Sequence, residues 1–291
     1  MLAYYFASLA SFLACRLPRS AAEAIGTGLG ALGWKLIPEK RKKLARENIM
    51  SCLGVGAGEA ERIARASVVR FGPMLMEILR YPVILGRFEE YVVFDGIEHL
   101  QKAMEQGDGK GAILAAAHSG NWEFLGGALA QAGVPVVGVA MKQHSEGFNK
   151  FINKQRAFIG MHITYKSDVR EMYNMLMQGW FIGLIMDQDV SIHDGIVLEF
   201  FQRPTNCATG AASMARFKGV PIFPTFIHRD GEGVHHVKVL PPIRVERSKD
   251  KREDIRRTTQ EIVSITEAHI RQYPEEWFWL HDRWKSLREN D

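Results

Sequence analysis

The chain has 291 residues, of which 46% are apolar and 24% are charged. These fractions are close to those of average globular proteins, which argues against a disordered chain, a collagen-like repeat or a protein with many membrane spans. The length allows one large or two small domains. Basic residues exceed acidic residues by four, 37 against 33, so any affinity for anionic partners must come from where the charges lie. Three widely separated cysteines, Cys15, Cys52 and Cys207, indicate a reducing compartment and neither a disulfide framework nor a zinc motif.

The first 15 residues carry no charged side chain, and their apolar residues recur at helical spacing. The stretch is shorter than the ~20 residues that span a bilayer, and it lacks the preceding basic residues of a cleavable signal peptide. The segment at 39–46 then has a net charge of +4, equal to that of the whole chain. Such a helix followed by a basic cluster is typical of a protein that rests on an anionic membrane face, but a core helix followed by a solvated face gives the same pattern. The predicted apolar face consists of Leu2, Tyr5, Phe6, Leu9, Phe12 and Leu13.

A GxGxxG pattern, typical of dinucleotide sites, occurs at residues 28–33. Such a fingerprint follows a strand and opens a helix, whereas this one follows a segment with a helical pattern. We therefore expect no nucleotide site here. Gly26, Gly30 and Gly33 instead predict close helix packing or a shallow position in lipid.

From about residue 91 onward, short apolar runs alternate with longer amphipathic ones. This alternation predicts an α/β fold, with a central mixed, largely parallel sheet flanked by helices. An N-terminal all-helical arm at 1–85, which includes a helical segment at 59–81 kinked at Pro73, precedes the α/β domain at 86–291. Strands are predicted at 91–94, 112–117, 134–140, 181–186, 196–201, 221–228 and 234–240, and helices near 97–106, 121–132, 145–160, 168–178, 208–218 and 252–273.

The segment AILAAAHSGNWEFLGGAL at 112–129 is the strongest candidate for a catalytic site. A strand of small residues leads into His118, which lies at the carboxyl end of the strand, where open α/β sheets place their ligands. Glu123 follows five residues later in the first turn of a predicted helix, from which its carboxylate could orient the imidazole and stabilise the imidazolium. Gly120 and the helix N-terminus at Asn121 offer backbone N–H groups to a developing oxyanion.

Other interpretations of this segment remain open. Glu123 could interact only with the helix dipole, and His118 could be a turn histidine with a satisfied hydrogen bond. A metal site is disfavoured, because no second His, Cys or Asp lies one helical turn away. Ser119 is a poor candidate for a nucleophile, because AHSGN lacks the G-x-S-x-G elbow. A base without a protein nucleophile beside it suits direct transfer to a substrate hydroxyl.

HSGNWE resembles the His-x4-acid signature of the glycerolipid acyltransferases, in the form used by the lipid A late acyltransferase family. Further segments occur in the order of that family, so the resemblance covers nearly the whole chain. Gln202 departs from the pattern, because the family usually has glycine after the two phenylalanines. The matching segments are RKKLARENI (41–49), MKQHSEGFNKFINKQRAFIG (141–160), DQD (187–189), VLEFFQRPTNCATGAASMARFKGVPIFPTF (197–226) and PEEWFWLHDRWK (274–285).

The resemblance implies an acyltransferase that moves a fatty acyl chain from acyl carrier protein to a hydroxyl of a lipid A precursor of the Kdo-lipid IVA type. His118 is then the general base and Glu123 orients and charges it, with no acyl-enzyme, no cofactor and no metal. Arg156 matches an arginine of the family that could hold an acceptor phosphate or the oxyanion, although a plain surface arginine is the alternative. The partners implied are an anionic glycolipid acceptor and the cytoplasmic side of the cell inner membrane, and no nucleic acid.

Two more candidates for substrate contacts follow from the same resemblance. Asp187 ends a predicted strand and is interpreted as a polar contact or loop structure, and Arg203 occupies the place of a phosphate-contacting block. His281 lies in an aromatic segment whose density is more typical of core packing or an interfacial belt than of catalysis. The acceptor could also be another glycolipid, such as a phosphatidylinositol mannoside, or a lysophospholipid. Activation of water would instead make a lipid hydrolase or thioesterase, and a non-catalytic lipid-binding protein is disfavoured by the paired base and acid.

Overall fold

The computed structural model describes residues 1–142 and 144–288 of the chain. A run of helices comes first: α1 (Leu2–Ala14), α2 (Arg19–Leu36), α3 (Glu39–Leu53), α4 (Ala57–Val69), α5 (Phe71–Leu79) and α6 (Tyr81–Ile84). The later helices are α7 (Glu98–Gln106), α8 (Trp122–Gln131), α9 (Glu146–Phe158), α10 (Val169–Leu176), α11 (Gly210–Lys218), α12 (Lys251–Gln272) and α13 (Lys285–Arg288). The strands are β1 (Val92–Asp95), β2 (Ile113–Ala116), β3 (Val136–Ala140), β4 (His162–Tyr165), β5 (Phe181–Ile185), β6 (Gly195–Phe200), β7 (Arg203–Ala208), β8 (Ile222–Arg229) and β9 (His235–Val239).

The fold is α/β, as predicted, with a mixed and mostly parallel sheet. Seven strands are ordered β1-β9-β8-β2-β5-β3-β4, and β6 and β7 form a separate antiparallel hairpin. All neighbours in the larger sheet are parallel except β8 and β9. Helices α5 to α9 contribute to the core on one face, and α10 to α12 contribute to the core on the other. The central strands are nearly continuous apolar runs because both of their faces are covered.

The sequence pattern located most of these elements within a few residues. Each strand and helix predicted beyond residue 90 is present, which confirms the α/β alternation. Two strands were not predicted. Strand β4 is a four-residue strand at the edge of the sheet, and β7 has the polar sequence RPTNCA, which lacks the apolar alternation of a half-buried strand.

The predicted helix at 59–81 is divided into α4 and α5, which separate at Arg70. Pro73 explains the position of this break. A proline has no N–H to donate to the carbonyl four residues earlier, that of Val69, and its ring clashes with that carbonyl. The helix is therefore interrupted three residues before the proline itself.

Helix α2 packs closely against this break through two of its glycines. A Cβ atom on Gly30 would lie 2.0 Å from the Val69 carbonyl oxygen, and one on Gly26 would lie 2.8 Å from backbone atoms of Pro73. These two glycines therefore permit the close helix packing that was predicted. Gly33 differs from them, because open space surrounds its Cα atom.

The helices before residue 85 share a hydrophobic core with the sheet. Met74, Ile78 and Tyr81 belong to the same buried cluster as Leu114 of β2 and Val136 of β3. The predicted boundary between an arm at 1–85 and a domain at 86–291 lies at the start of the short 3-10 helix Leu85–Glu90, which precedes β1. The shared core contains residues from both sides of this boundary.

Helix α1 lies on the surface with its predicted apolar face turned outward. Leu2 is 86% exposed and Phe6 is 75% exposed, whereas Ser11 and Ala14 are buried. Polar contacts hold the buried side: the Ser11 hydroxyl donates to a carbonyl of α5, and the Arg80 guanidinium donates to the carbonyl of Ala14. The alternative in which this face packs in the core is therefore wrong. No helix within residues 1–142 and 144–288 is both long and apolar enough to cross a membrane.

The turn between β6 and β7 contains Gln202, where the resemblance leads us to expect glycine. Phe201 and Gln202 form a two-residue turn, and their φ angles are 53° and 57°. A left-handed conformation costs a residue with a Cβ atom about 1–2 kcal/mol, whereas glycine avoids that cost. Gln202 keeps the same turn, so the departure from the family pattern leaves the hairpin intact.

Candidate active site

Two polar side chains follow neighbouring strands at the carboxyl edge of the sheet. Strands β2 and β5 are parallel, and Ala116 lies opposite Ile185 at their ends. His118 and Asp187 each come two residues later. Their side chains meet, with 2.8 Å between Nδ1 of the imidazole and Oδ1 of the carboxylate. The register of the two strands therefore positions the pair.

Asp187 is the more deeply buried member of this pair. Its side chain is 3% exposed, against 21% for His118, and its second oxygen accepts a hydrogen bond of 2.6 Å from the indole N–H of Trp277. Burial alone would raise the pKa of Asp187, but the charge and hydrogen bonds of His118, together with that of Trp277, hold it below its usual value. An ionised carboxylate keeps the proton of the imidazole on Nδ1. Nε2, which has no hydrogen-bond partner among the described residues, is then available as a base.

Glu123 contacts Arg156 and not His118. The predicted contact, in which the Glu123 carboxylate orients the imidazole, is therefore not formed. Its two oxygens accept hydrogen bonds of 2.8 and 2.6 Å from Nε and Nη2 of Arg156, which comes from α9. Burial lowers the pKa of Arg156 and its bonds to Glu123 raise it, with a net increase. A planar guanidinium is a stronger partner for a carboxylate than an imidazole, because it donates two parallel charge-assisted bonds. The acid beside the base is therefore Asp187.

Gly120 and Asn121 shape the turn that carries His118. Gly120 has a φ angle of 59°, and a Cβ atom on it would lie 2.2 Å from the carbonyl oxygen of Ile227, so only glycine fits. Its N–H donates a hydrogen bond of 2.9 Å to the carbonyl of Glu276. This N–H group is therefore engaged, whereas the sequence predicted that it is available to an oxyanion. Asn121 caps α8, and its side-chain amide donates to the buried carboxylate of Glu77 at 2.6 Å.

Three other residues considered from the sequence are held in contacts of their own. Arg203 stacks on a tryptophan ring of the C-terminal segment, 4.0 Å from its centre, and does not line the cavity beside His118. Nε2 of His281 accepts the backbone N–H of Asp189 at 2.9 Å. The Ser119 hydroxyl is buried and lies 2.9 Å from Nε2 of His269. The side chains of His281 and Ser119 are therefore not arranged as a base or a nucleophile toward the cavity.

The aromatic segment near the C-terminus supports the site from behind. Trp277, Trp279 and Trp284 pack with Phe200 and Phe201 in one buried cluster, which confirms the predicted core packing. The indole N–H of Trp277 lies at the edge of this cluster and donates a hydrogen bond to the carboxylate of Asp187.

A cavity of about 690 Å³ lies beside His118. This volume is within the range of about 300–1,000 Å³ that is typical of ligand pockets. Its wall is mostly apolar, and its charged groups include the Glu123 carboxylate and the Arg156 guanidinium. The apolar lining includes Leu114, Ala116, Leu125, Leu129, Val136, Val139, Met161, Ile163, Met172 and Met214.

Glycines make room for this cavity above the strands. Gly183 of β5 lies opposite Leu114 of β2 and Gly138 of β3, and all three line the cavity. A Cβ atom on Gly183 would meet only the carbonyl oxygen of Val137, at 3.5 Å, which is ordinary contact. One on Gly138 would lie 3.1 Å from Cδ1 of Ile163 and 3.3 Å from the sulfur of Met161. Ile163 and Met161 therefore close the wall near Gly138, whereas the space over Gly183 is open.

An apolar cavity whose wall contains a histidine paired with a buried aspartate is suited to acyl transfer. A family model described as bacterial lipid A biosynthesis acyltransferase matches residues 1–286. The chain belongs to this acyltransferase family. The resemblance read from its motifs is thereby confirmed.

Relatives of this acyltransferase act on different lipids according to their names. The chain is 25% identical over 277 residues to the phosphatidylinositol mannoside acyltransferase of Mycolicibacterium smegmatis, which covers 92% of this chain and 88% of the relative. It is 23% identical over 283 residues to the lipid A biosynthesis lauroyltransferase of Escherichia coli, which covers 96% and 90%. Among solved structures, the 1-acyl-sn-glycerophosphate acyltransferase of Thermotoga maritima matches with a TM-score of 0.38 at 14% identity, over 79% of this chain and 94% of that chain.

The ion pair in this acyltransferase leads to a prediction about stability. Glu123 and Arg156 are 15% and 10% exposed, so removing one leaves an uncompensated buried charge. We expect Glu123→Leu and Arg156→Met to lower the free energy of unfolding by about 3–5 kcal/mol each, and the double variant to recover most of that loss. Denaturant unfolding measures all three. Additive losses in the double variant would contradict the coupling.

Proposed function

We propose that this acyltransferase moves a fatty acyl chain from the thioester of acyl carrier protein to a hydroxyl of an anionic glycolipid, a lipid A precursor. The observation that carries the proposal is His118 in the wall of an apolar cavity, hydrogen-bonded to Asp187, which is buried behind it. In this proposal His118 is the general base, Asp187 orients it, and the donor's acyl chain occupies the cavity. The Glu123–Arg156 pair adds charge to the same wall.

The reaction proceeds by direct attack. Nε2 of His118 takes the proton of the acceptor hydroxyl as the oxygen forms a bond with the thioester carbonyl carbon. Asp187 stabilises the imidazolium that results, because it is already hydrogen-bonded to Nδ1. The C–S bond then breaks, and the leaving thiolate takes the proton from Nε2. The products are the acylated glycolipid and the free thiol, and the base returns to its starting state.

The acyl chain gains its binding energy from the apolar wall. Each methylene that is buried contributes about 0.8 kcal/mol, so the length of the cavity selects among chains. Arg156 has three of its N–H groups engaged, two by Glu123 and one by Asn153. Its proposed role toward an acceptor phosphate or the oxyanion therefore uses the remaining N–H groups.

We place the enzyme on the cytoplasmic face of the inner membrane through α1. The outward side chains of α1 are apolar, and Lys150 and Lys154 of α9 lie beside its Tyr4 ring, at 5.2 and 5.9 Å. Within the basic segment at 39–46, Arg46 is paired with Glu39 and Glu61, and Lys43 is paired with Glu47. The contribution of this segment to the attraction by an anionic surface therefore rests on Lys40, Arg41 and Lys42. Lysines beside an apolar helix face are typical of proteins bound to anionic membranes.

A second acceptor class is favoured by the comparisons. The phosphatidylinositol mannoside acyltransferase of Mycolicibacterium smegmatis covers nearly the whole chain at an identity similar to that of the lauroyltransferase. Both acceptors present a hydroxyl beside anionic groups, so the same base serves either one.

The catalytic roles are tested with His118→Ala and Asp187→Asn in the full chain. We expect each to lower the rate of acyl transfer by about 10²–10⁴-fold, because the base or the group that orients it is lost. Product mass spectrometry with acyl carrier protein as donor measures the rate. His193→Ala serves as the matched control, since that histidine is exposed.

The same assay distinguishes the acceptors. Transfer to a lipid A precursor and not to a phosphatidylinositol mannoside supports the first acceptor, and the reverse supports the second. Release of free fatty acid at the same rate with and without acceptor would indicate a thioesterase. Variants of His118 and Asp187 that retain full activity would overturn the assignment.

The open space over Gly183 predicts a change in donor preference. Gly183→Val places a side chain in the cavity without a backbone clash, so longer acyl chains lose contact with the wall. We expect the preference for the natural chain over a shorter one to fall about fourfold for each methylene displaced. Competition between donors of different length measures it. An unchanged preference would contradict placement of the chain in this cavity.

The membrane placement predicts the effect of changes on the exposed face of α1. Phe6→Ser combined with Leu9→Ser removes two exposed apolar side chains, so the fold is retained while binding to vesicles of anionic lipid weakens by at least ~10²-fold. Vesicle flotation measures binding, with Val93→Ser on β1 as an exposed control. Equal binding by both variants would exclude α1 as the membrane contact.

A further inference from the structure

The turn that carries the general base is held by the junction between α4 and α5. Nη1 of Arg70 donates to the carbonyl oxygen of Gly120 at 2.7 Å, and Nη2 donates to that of His118 at 3.4 Å. One guanidinium group therefore joins the residue that carries the imidazole to the glycine two positions later. The planar fork of arginine fixes the separation of the groups that it binds.

Arg70 reaches this turn because of the break in the helix. It occupies the position between α4 and α5 that Pro73 creates, and Gly26 and Gly30 of α2 pack against the same break. The sequence of the helical arm therefore determines where this guanidinium lies.

Burial disfavours the charge of Arg70, and only part of this cost is offset by its neighbours. The guanidinium faces two aromatic rings, which attract a cation, at 4.6 Å from the centre of Phe71 and 5.7 Å from that of Trp122. Burial lowers its pKa to about 10, although the charges of Glu276 and Asp187 oppose this shift. Nε has no hydrogen-bond partner in the part of the chain that the structure describes. Since a partly buried and incompletely paired cation costs stability, stability alone does not explain this residue.

A second side chain of the arm acts on the other end of the same turn. Glu77 of α5 is 7% exposed, and its carboxylate accepts hydrogen bonds from Asn121 at 2.6 Å and from His235 at 2.9 Å. Asn121 caps α8, the helix that follows the turn. The carbonyl groups and the cap of the turn are thus both bound by helices that precede the sheet.

We propose that Arg70 is a positioning residue for the general base. It holds the carbonyl groups of His118 and Gly120, so that the imidazole keeps its contact with Asp187 and presents Nε2 to the acceptor hydroxyl. Arg70 does not line the cavity, so it acts through His118 and not on the substrates. This inference rests on the proposed function.

The test compares Arg70→Met and Arg70→Lys with Arg65→Met in the full chain. Arg65 is exposed on α4, the helix that ends just before Arg70, and provides the matched control. We expect Arg70→Met to lower kcat by about 10²-fold, since displacement of a reacting group by about 1 Å has an effect of that size. The KM for the donor stays within about twofold of its original value, because the cavity is intact. Arg70→Lys keeps the charge but cannot bridge both carbonyls, so its kcat is expected to lie between that of Arg70→Met and that of the original chain.

The proton NMR signal of the His118 Nδ1–H group gives a second measurement. It is expected to shift in Arg70→Met and to stay unchanged in Arg65→Met. An unchanged kcat and signal in a folded Arg70→Met variant would overturn the proposal. If that variant does not fold, Arg70→Lys decides, and a kcat and signal equal to those of the original chain would overturn it. Failure of the proposed function is seen separately, as acyl transfer that persists in His118→Ala.

Discussion

The contact between His118 and Asp187 depends on the parallel register of β2 and β5. Because Ala116 and Ile185 lie side by side, the residues two positions later emerge together at the carboxyl edge of the sheet. A shift of one residue would turn one of the two side chains to the opposite face. The pairing of His118 with Asp187 is therefore a property of the strands, and α8 contributes little to it. The same register places Gly183 opposite Leu114 in the wall of the cavity, where the missing side chain of the glycine leaves space.

The turn after β2 is rigid because groups from distant parts of the chain hold each of its residues. Helices α4 and α5 bind its carbonyls and its cap, His269 of α12 binds the Ser119 hydroxyl, and Glu276 accepts the Gly120 N–H. The C-terminal tryptophans then fix Asp187 from behind. A side chain that is held in this way loses little free energy to reorganisation when a ligand arrives. The helices before the sheet therefore help to shape the candidate site.

Periodicity predicted the sheet and the position of His118, because a buried parallel strand and its exit residue are local features. Periodicity did not predict the partner of His118. Glu123 is near in sequence and on the following helix, so it was the natural choice, whereas Asp187 is 69 residues away. Its selection depends on β5 lying between β2 and β3, and the order of strands cannot be read from a single sequence. The DQD segment at the end of a predicted strand was the available signal. Arg70 gave no such signal in the sequence, because its contact with the turn after β2 depends on where Pro73 breaks a helix.

Helix α9 relates the exposed face of α1 to the cavity. Lys150 and Lys154 are four residues apart and lie on one side of α9, next to Tyr4 of α1. Arg156, two residues further along, is on the opposite side and lines the cavity. The diameter of a helix with its side chains is about 10–12 Å, so the cavity is separated from α1 by about that distance. If α1 rests in the lipid surface, the cavity lies one helix away from that surface.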